Sequence, residues 1–332
     1  MDDVTYYDDV DRWVLGQIAS TSVTGLMQGS TVATVQFERT EFDARSLPWK
    51  YFKFGQLVQV VTYNADGTVA TVEDGAGNVT TFADWKRGVP RTITWPDGTS
   101  VAAAVSDGGE ITSTTSETLA KHCYEYDAMG RVAGVVPPSE IALNLCQTGA
   151  EGGAGWAKID TTFGPVAVEE FGVSPGHWRQ IATNGSRVTE TYYDAFWRPL
   201  VIREYDAAAP TATQRFVRYA YDSRGRTTFQ SYPSSSPSAT SGIWSEYDGL
   251  GRPKSVAQDS ERGLLVTRVE YLAGGARRTT DPSGNATTEY FQAFGEPSFE
   301  WPIQVDLPER TRTMIIRDVF GKPLRIERGS RN

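Results

Sequence analysis

Cysteine and histidine are almost absent: the 332 residues include two of each, Cys123, Cys146, His122 and His177. Two histidines and two cysteines without ligand spacing do not make a zinc site. Neighbouring strand residues point to opposite faces, so His122 and Cys123 do not form a catalytic pair. His177 sits in a Pro/Gly-rich stretch and reads as a plain loop histidine. No apolar run approaches the 18 residues needed to span a bilayer. Met1-Asp2-Asp3-Val4-Thr5-Tyr6-Tyr7 lacks the basic and apolar regions of a signal peptide. Export therefore uses a route without such a peptide, or the chain is a piece of something longer. Basic clusters are missing too. At a net charge of −9, with arginine scattered, nothing matches the dense basic face that nucleic acid requires.

Long periodic Leu/Glu/Lys stretches are also lacking, which argues against extended helices. Present instead are 32 glycines and 17 prolines, spread along the chain among abundant Thr, Val, Tyr and Trp. Dense punctuation between β-formers predicts an all-β protein of many short strands joined by turns. Hydrophobic residues at 39% suffice for a core, and 22% charged is too few for a disordered chain.

Internal repetition sharpens this. Tyr126-Asp127-Ala128-Met129-Gly130-Arg131 matches Tyr221-Asp222-Ser223-Arg224-Gly225-Arg226 and Tyr247-Asp248-Gly249-Leu250-Gly251-Arg252. Looser copies begin at Tyr7 and Tyr193, and fainter ones at Tyr63, Phe82, Tyr271, Phe291 and Arg317. A second phrase, Asp74-Gly75-Ala76-Gly77-Asn78, recurs as Asp281-Pro282-Ser283-Gly284-Asn285, each leading into a faint copy of the first. The chemistry is that of a tight turn. An aromatic ends one strand, Asp accepts backbone N–H groups two residues on, and Gly supplies φ > 0. Arg opens the return strand, able to reach back to the Asp or lie across the aromatic face. Val217, Tyr219 and Tyr221 share one strand face. Leu324 and Ile326 alternate with Arg325 and Glu327.

These phrases resemble the RHS/YD-repeat family, whose members carry Tyr-Asp-x-x-Gly-Arg and Asp-Pro-x-Gly-Asn in long arrays. The likeness runs from Tyr7 to Ile326 with a break between Pro137 and Val188. It implies a continuous curled antiparallel sheet of repeated β-hairpins, a spiral forming a hollow shell. In bacterial polymorphic toxins and the C components of insecticidal toxin complexes such shells enclose a toxin polypeptide. In teneurins they form an extracellular adhesion scaffold. A secreted or cell-surface location is implied. Full shells are several times longer, so this chain is expected to be a wall segment whose end strands pair with neighbouring repeats or self-associate. Self-cleaving members carry two closely spaced Asp-Pro-x-Gly phrases. Only Asp281-Pro282-Ser283-Gly284 is present here, so autoproteolysis is not supported, and no toxin domain is expected after the last repeat remnant.

Three stretches follow: irregular hairpins over 1–136, an insertion or elaborated hairpin loop over 137–190, and regular hairpins over 191–332. At about 12–15 residues per strand and turn, some 22–28 strands are expected. Cys123 and Cys146 either pair in an oxidising compartment or remain two buried thiols. The glycine-rich Gly149–Gly155 lacks the Gly-Lys-Ser/Thr of a phosphate loop and reads as a flexible loop. Paired carboxylates for glycoside hydrolysis yield to turn roles for most Asp residues. The leading expectation is a non-enzymatic structural segment without cofactor or metal. The alternative is a glycan-binding or adhesion module. Trp156, Trp178 and Trp301 lie outside the motif positions and are its best sugar-stacking candidates.

Overall fold

Val, Thr and Tyr favour extended backbone, and with turn residues every eight to twelve positions they leave no room for long helices. The computed structural model describes residues 2–25, 33–147, 156–291, 298–318 and 321–330. Its described residues form 26 strands and one helical turn, Pro210–Thr213. The fold is therefore all-β, as expected.

Strands pair antiparallel with their chain neighbours. One run of eight extends from Asp2–Asp9 to Thr92–Thr94. A second, of thirteen, extends from Ser100–Val105 to Gly263–Leu272. A third, of five, extends from Ala276–Thr280 to Pro323–Ser330. By contacts, Met1–Ser100 with Glu270–Asn332 form one unit, and Val101–Val269 the other.

Each motif hairpin carries one extra residue beside the turn. Tyr126 pairs with Val132, Tyr221 with Thr227 and Tyr247 with Pro253, and in each case the register shifts just before the tyrosine. This is the bulge that a left-handed glycine introduces next to a hairpin turn. Gly130, Gly225 and Gly251 have φ of 76°, 83° and 88°. Gly225→Val is expected to cost about 1–3 kcal/mol, because a β-branched side chain is strained there. A valine variant as stable in urea as the parent would exclude the turn role. At the equivalent place in the Tyr193 copy stands Trp197, held at φ 62° without glycine's freedom.

The stretch 137–190 joins the pairing pattern. Ile159–Val166 and His177–Asn184 form an eight-pair ladder, Val166 opposite His177. The segment between them, 167–176, brings Phe171 and Val173 against the unit's core of Tyr192, Val201 and Phe216. Alternation places that core: in Arg187–Tyr193, Val188, Glu190 and Tyr192 are all buried, two residues apart. Alternation fails to predict burial in the last strand, where all eight residues of Pro323–Ser330 are exposed. The faint copy at Phe291–Glu296 and the Gly149–Gly155 loop lie mostly or wholly outside the described residues.

Candidate functional site: the tyrosine–aspartate turn ladder

In the Tyr221 hairpin, Asp222 accepts hydrogen bonds at Oδ1 from the backbone N–H groups of Arg224 (2.9 Å) and Arg226 (3.0 Å). Its Oδ2 accepts from Arg226 Nε at 2.7 Å and Nη2 at 2.6 Å. Across the turn, the Asp222 N–H donates to the Arg226 carbonyl at 2.9 Å, and the Gly225 N–H to the Asp222 carbonyl at 3.0 Å. The same bonds recur at Asp127/Arg131, Asp194/Arg198 and Asp248/Arg252. In the second phrase, Asp74 and Asp281 keep the backbone bonds, while Asn78 and Asn285 donate Nδ2 to Oδ2 in place of arginine. One carboxylate thus organises five residues. The Tyr7 copy departs: Asp9 accepts from Arg12, Asp8 accepts from the Gly16 N–H, and Trp13 takes the positive φ.

The tyrosine looks the other way. Tyr221 Oη donates to the carbonyl of Pro199 at 2.8 Å, the residue just after Arg198 of the preceding motif. Likewise Tyr247 reaches Thr227 (2.9 Å), Tyr126 reaches Ile111 (2.7 Å) and Tyr63 reaches Pro48 (2.5 Å). The arginine meets it from the other side. Arg198 lies 4.6 Å from the Tyr221 ring, and Arg226 lies 4.6 Å from the Tyr247 ring while donating to the Asp248 carbonyl at 3.2 Å. Arg45 donates to the Asn64 carbonyl in the same sense, at 2.7 Å. The arginine therefore does both things the sequence allowed: it pairs with its own aspartate and covers the aromatic of the next repeat. Sequence reasoning missed the tyrosine's bond, whose partner lies 15 to 22 residues back.

Hydrogen bonds to the charged form pull the turn carboxylates below the usual aspartate range. For Asp222 the main cause is the Arg226 side chain, and for Asp127 and Asp248 the Arg131 and Arg252 backbone N–H groups. A lowered folded value means the stabilisation is full above the unfolded aspartate value of about 4 and disappears as pH falls through the folded values. Stability is therefore expected to be level from neutral pH to about 5 and to decline below about 4, less steeply in Asp222→Asn. Urea midpoints across that range check it. A midpoint independent of acid would sink the assignment.

Beneath the 167–176 segment lies a second cluster. Glu190 is only 6% exposed. It accepts from Tyr192 Oη at 2.6 Å, Tyr205 Oη at 3.0 Å and Arg203 Nη1 at 3.2 Å. Burial, then the Glu190 bond, pushes the Tyr192 hydroxyl well above its ordinary range. Close by, Glu170 pairs with Arg179 at 2.6 Å. His177 corrects the loop reading: it opens a strand, is buried, and bonds Nδ1 to the Ser174 carbonyl at 2.9 Å, with Nε2 3.4 Å from Glu170. Every charged member of this cluster has an opposite charge or donor at hand, the arrangement of a satisfied polar core.

The remaining candidates separate. Cys123 and Cys146 are joined as a disulfide, Cα atoms 6.0 Å apart, closing the chain around the Tyr126 hairpin. Trp178 stacks on Phe163 at 5.1 Å and lies 5.3 Å from Trp197, so one face is taken. Trp301 is covered by Gly321, where an added Cβ would sit 2.7 Å from its ring. Trp156 alone of the three is largely exposed, at 67%. It edges a cleft of about 460 Å³ lined also by His122, Val135, Pro137, Ile159 and Asn184. Among the described residues, no helix is long and apolar enough to cross a membrane.

No protein-family model matches the chain, and neither does any curated protein. Solved structures do align with it. A crystal structure of TcdB2-TccC3-Cdc42 is 13% identical over 97% of this chain and 18% of that one, with a TM-score of 0.39. A Photorhabdus luminescens Tc holotoxin pore is 11% identical over 97% and 18%, with a TM-score of 0.35. A crystal structure of TcdB2-TccC3 is 10% identical over 98% and 21%, with a TM-score of 0.30. This chain spans about a fifth of the length of each.

Proposed function

We propose that this chain is a non-enzymatic wall segment of an RHS/YD-type β-shell, secreted or displayed at a cell surface, that encloses or presents a toxin polypeptide. One observation carries the reading: the motif's side chains serve the wall itself. Aspartate fixes each turn, tyrosine fastens each hairpin to its neighbour at Tyr63, Tyr126, Tyr221 and Tyr247, and arginine adds to this at Tyr63, Tyr221 and Tyr247. A sheet tied this way resists local opening, as a container wall must. The disulfide fits an oxidising compartment. The test is limited proteolysis of the full product of the natural reading frame. A polypeptide encoded with this chain should survive protease levels that digest it when expressed alone. Equal digestion in both settings, or a frame encoding no further polypeptide, would overturn the reading.

The exposed Trp156 and its cleft favour a second reading, a glycan-binding module, because a free indole face beside His122 and Asn184 offers both stacking and hydrogen bonding. Binding to a glycan array that disappears in Trp156→Ala would support it. Equal array binding by parent and variant would remove it.

A further inference from the structure

Residues 137–147, which leave the strand Val132–Val136, fold back beside the strand Lys121–Tyr126. Most of their bonds close the segment on itself. The Ser139 N–H donates to the Leu145 carbonyl at 2.8 Å, the Gln147 N–H to the Pro137 carbonyl at 3.0 Å, and Pro138 bridges Cys146. Ser139 is buried, yet its hydroxyl accepts from the N–H groups of Ile141 and Ala142 within the same segment. Apolar side chains do not anchor it, because Ile141, Leu143 and Leu145 are all exposed. Among the described residues, two ties reach the strand: the Lys121 N–H donates to the Leu143 carbonyl at 2.8 Å, and Cys123 is joined to Cys146.

The wall beside this segment is thinly joined. Val132–Val136 meets Ile159–Val166 through Gly134 opposite Asp160 and Val135 opposite Ile159, whereas the next ladder, with His177–Asn184, has eight pairs. Alternation puts Glu125, Gly134 and Asp160 on one face of the joint and Val135 and Ile159 on the other. On the first face Lys158 lies over Gly134, with Nζ 2.6 Å from Glu125 and 2.8 Å from Asp160. These are part-exposed ion pairs, which water screens. On the second face lies the cleft of about 460 Å³, lined by Val135, Pro137 and Ile159 among others. Neither face carries a buried apolar cluster such as Tyr192, Val201 and Phe216. Short ladders without apolar burial are where a sheet opens first. Cys123 stands opposite Val136, at the end of the strand that forms this joint.

We propose that the Cys123–Cys146 disulfide is a redox-released fastening, whose reduction frees residues 137–147 and opens the wall at the joint of Val132–Val136 with Ile159–Val166. The reductant is a dithiol. Its thiolate attacks one sulfur of the bridge, breaking the S–S bond and forming a mixed disulfide. Its second thiol then displaces the remaining cysteine. Two electrons and the two thiol protons pass to Cys123 and Cys146, and the reductant leaves as a disulfide. The fastening therefore holds in an oxidising compartment and is lost in a reducing one. It does not depend on whether the wall encloses a polypeptide.

Hydrogen exchange of the whole chain, before and after dithiothreitol, tests it. Cys123 and Cys146 are the only cysteines, so the effect of the reductant is assigned to this bond, and alkylation of both thiols establishes its reduction. Exchange should quicken at least about tenfold in 137–147 and Val132–Val136 and stay unchanged in Arg187–Tyr193 and Pro199–Asp206. A glutamate-specific protease should cut after Glu140 at least about tenfold faster in the reduced chain. Cys123→Ser with Cys146→Ser should match the reduced parent and ignore dithiothreitol. The reduced parent carries the test where that variant does not fold. Unchanged exchange with both thiols alkylated overturns the proposal. So does loss of protection throughout Val101–Val269, which would make the bond a support of the whole unit. A bridge that dithiothreitol reduces only once urea has unfolded the sheet overturns it too.

Discussion

Replacing Arg203 by methionine is expected to lower the unfolding free energy by about 3–5 kcal/mol, the usual cost of leaving a buried charge without its partner. Glu190 would keep its two tyrosine donors but lose the cationic contact from Arg203 Nη1 at 3.2 Å. Arg203 also donates from Nε and Nη2 to Gln214 Oε1 at 3.2 and 2.9 Å. Its guanidinium lies 4.3 Å from the Tyr205 ring and 5.2 Å from Phe171, the residue that closes the cluster from above. Methionine fills much of the same volume, so what is lost is charge and hydrogen bonding more than packing. The informative control is Arg187→Met. Arg187 meets Glu204 at 2.6 Å, a shorter distance, yet the two side chains are 67% and 44% exposed against 16% and 8% for Arg203 and Glu190. Water screens the exposed pair, and its loss should cost under about 1 kcal/mol. Equilibrium urea unfolding of the two variants compares them directly. Equal losses would mean that burial does not govern this cluster.

That contrast also marks what a sequence can reveal. Asp222, Gly225 and Arg226 lie within five residues, so their turn is settled by local chemistry and is legible in the motif. All-β architecture is legible for the same reason, because turn residues recur at strand spacing. Tyr221 reaching Pro199 is not, since the acceptor's place depends on how one hairpin packs on the next. Nor is the Glu190 cluster, assembled from three strands and a covering segment that reads as an insertion. His177 shows the same limit. Its Pro/Gly neighbours signal a loop, and only pairing with Val166 makes it the start of a strand. Trp197 is the reverse case: local propensity asks for glycine at φ 62°, while Trp178 and Phe163 supply contacts that hold a tryptophan there. Trp178 itself stands outside the motif, which made it a sugar-stacking candidate, but pairing in the sheet sets it against Phe163.

Asp222→Ala should lower the urea midpoint clearly, and its effect should extend beyond its own hairpin. The substitution removes an acceptor for two backbone N–H groups and the partner of Arg226. Hydrogen bonds to a charged group are stronger than neutral ones when shielded, and the partial exposure of this turn discounts their sum. Asp222→Asn retains an amide oxygen for the backbone donors and loses the ion pair, so it should cost roughly half as much. Arg226, released from Asp222, is also the side chain that covers Tyr247 and donates to the Asp248 carbonyl. Loosening it therefore weakens the contact between two successive hairpins. Hydrogen exchange should report this as faster exchange in Thr227–Ser231 and, to a lesser degree, in Gly242–Tyr247 and Pro253–Ser260. A double-mutant cycle of Asp222→Ala with Tyr247→Leu should show stabilities that do not add, since Arg226 touches both Asp222 and the Tyr247 ring. Exchange confined to the Tyr221 hairpin, with additive stabilities, would show that each turn stands alone and that arginine fastens nothing beyond its own aspartate.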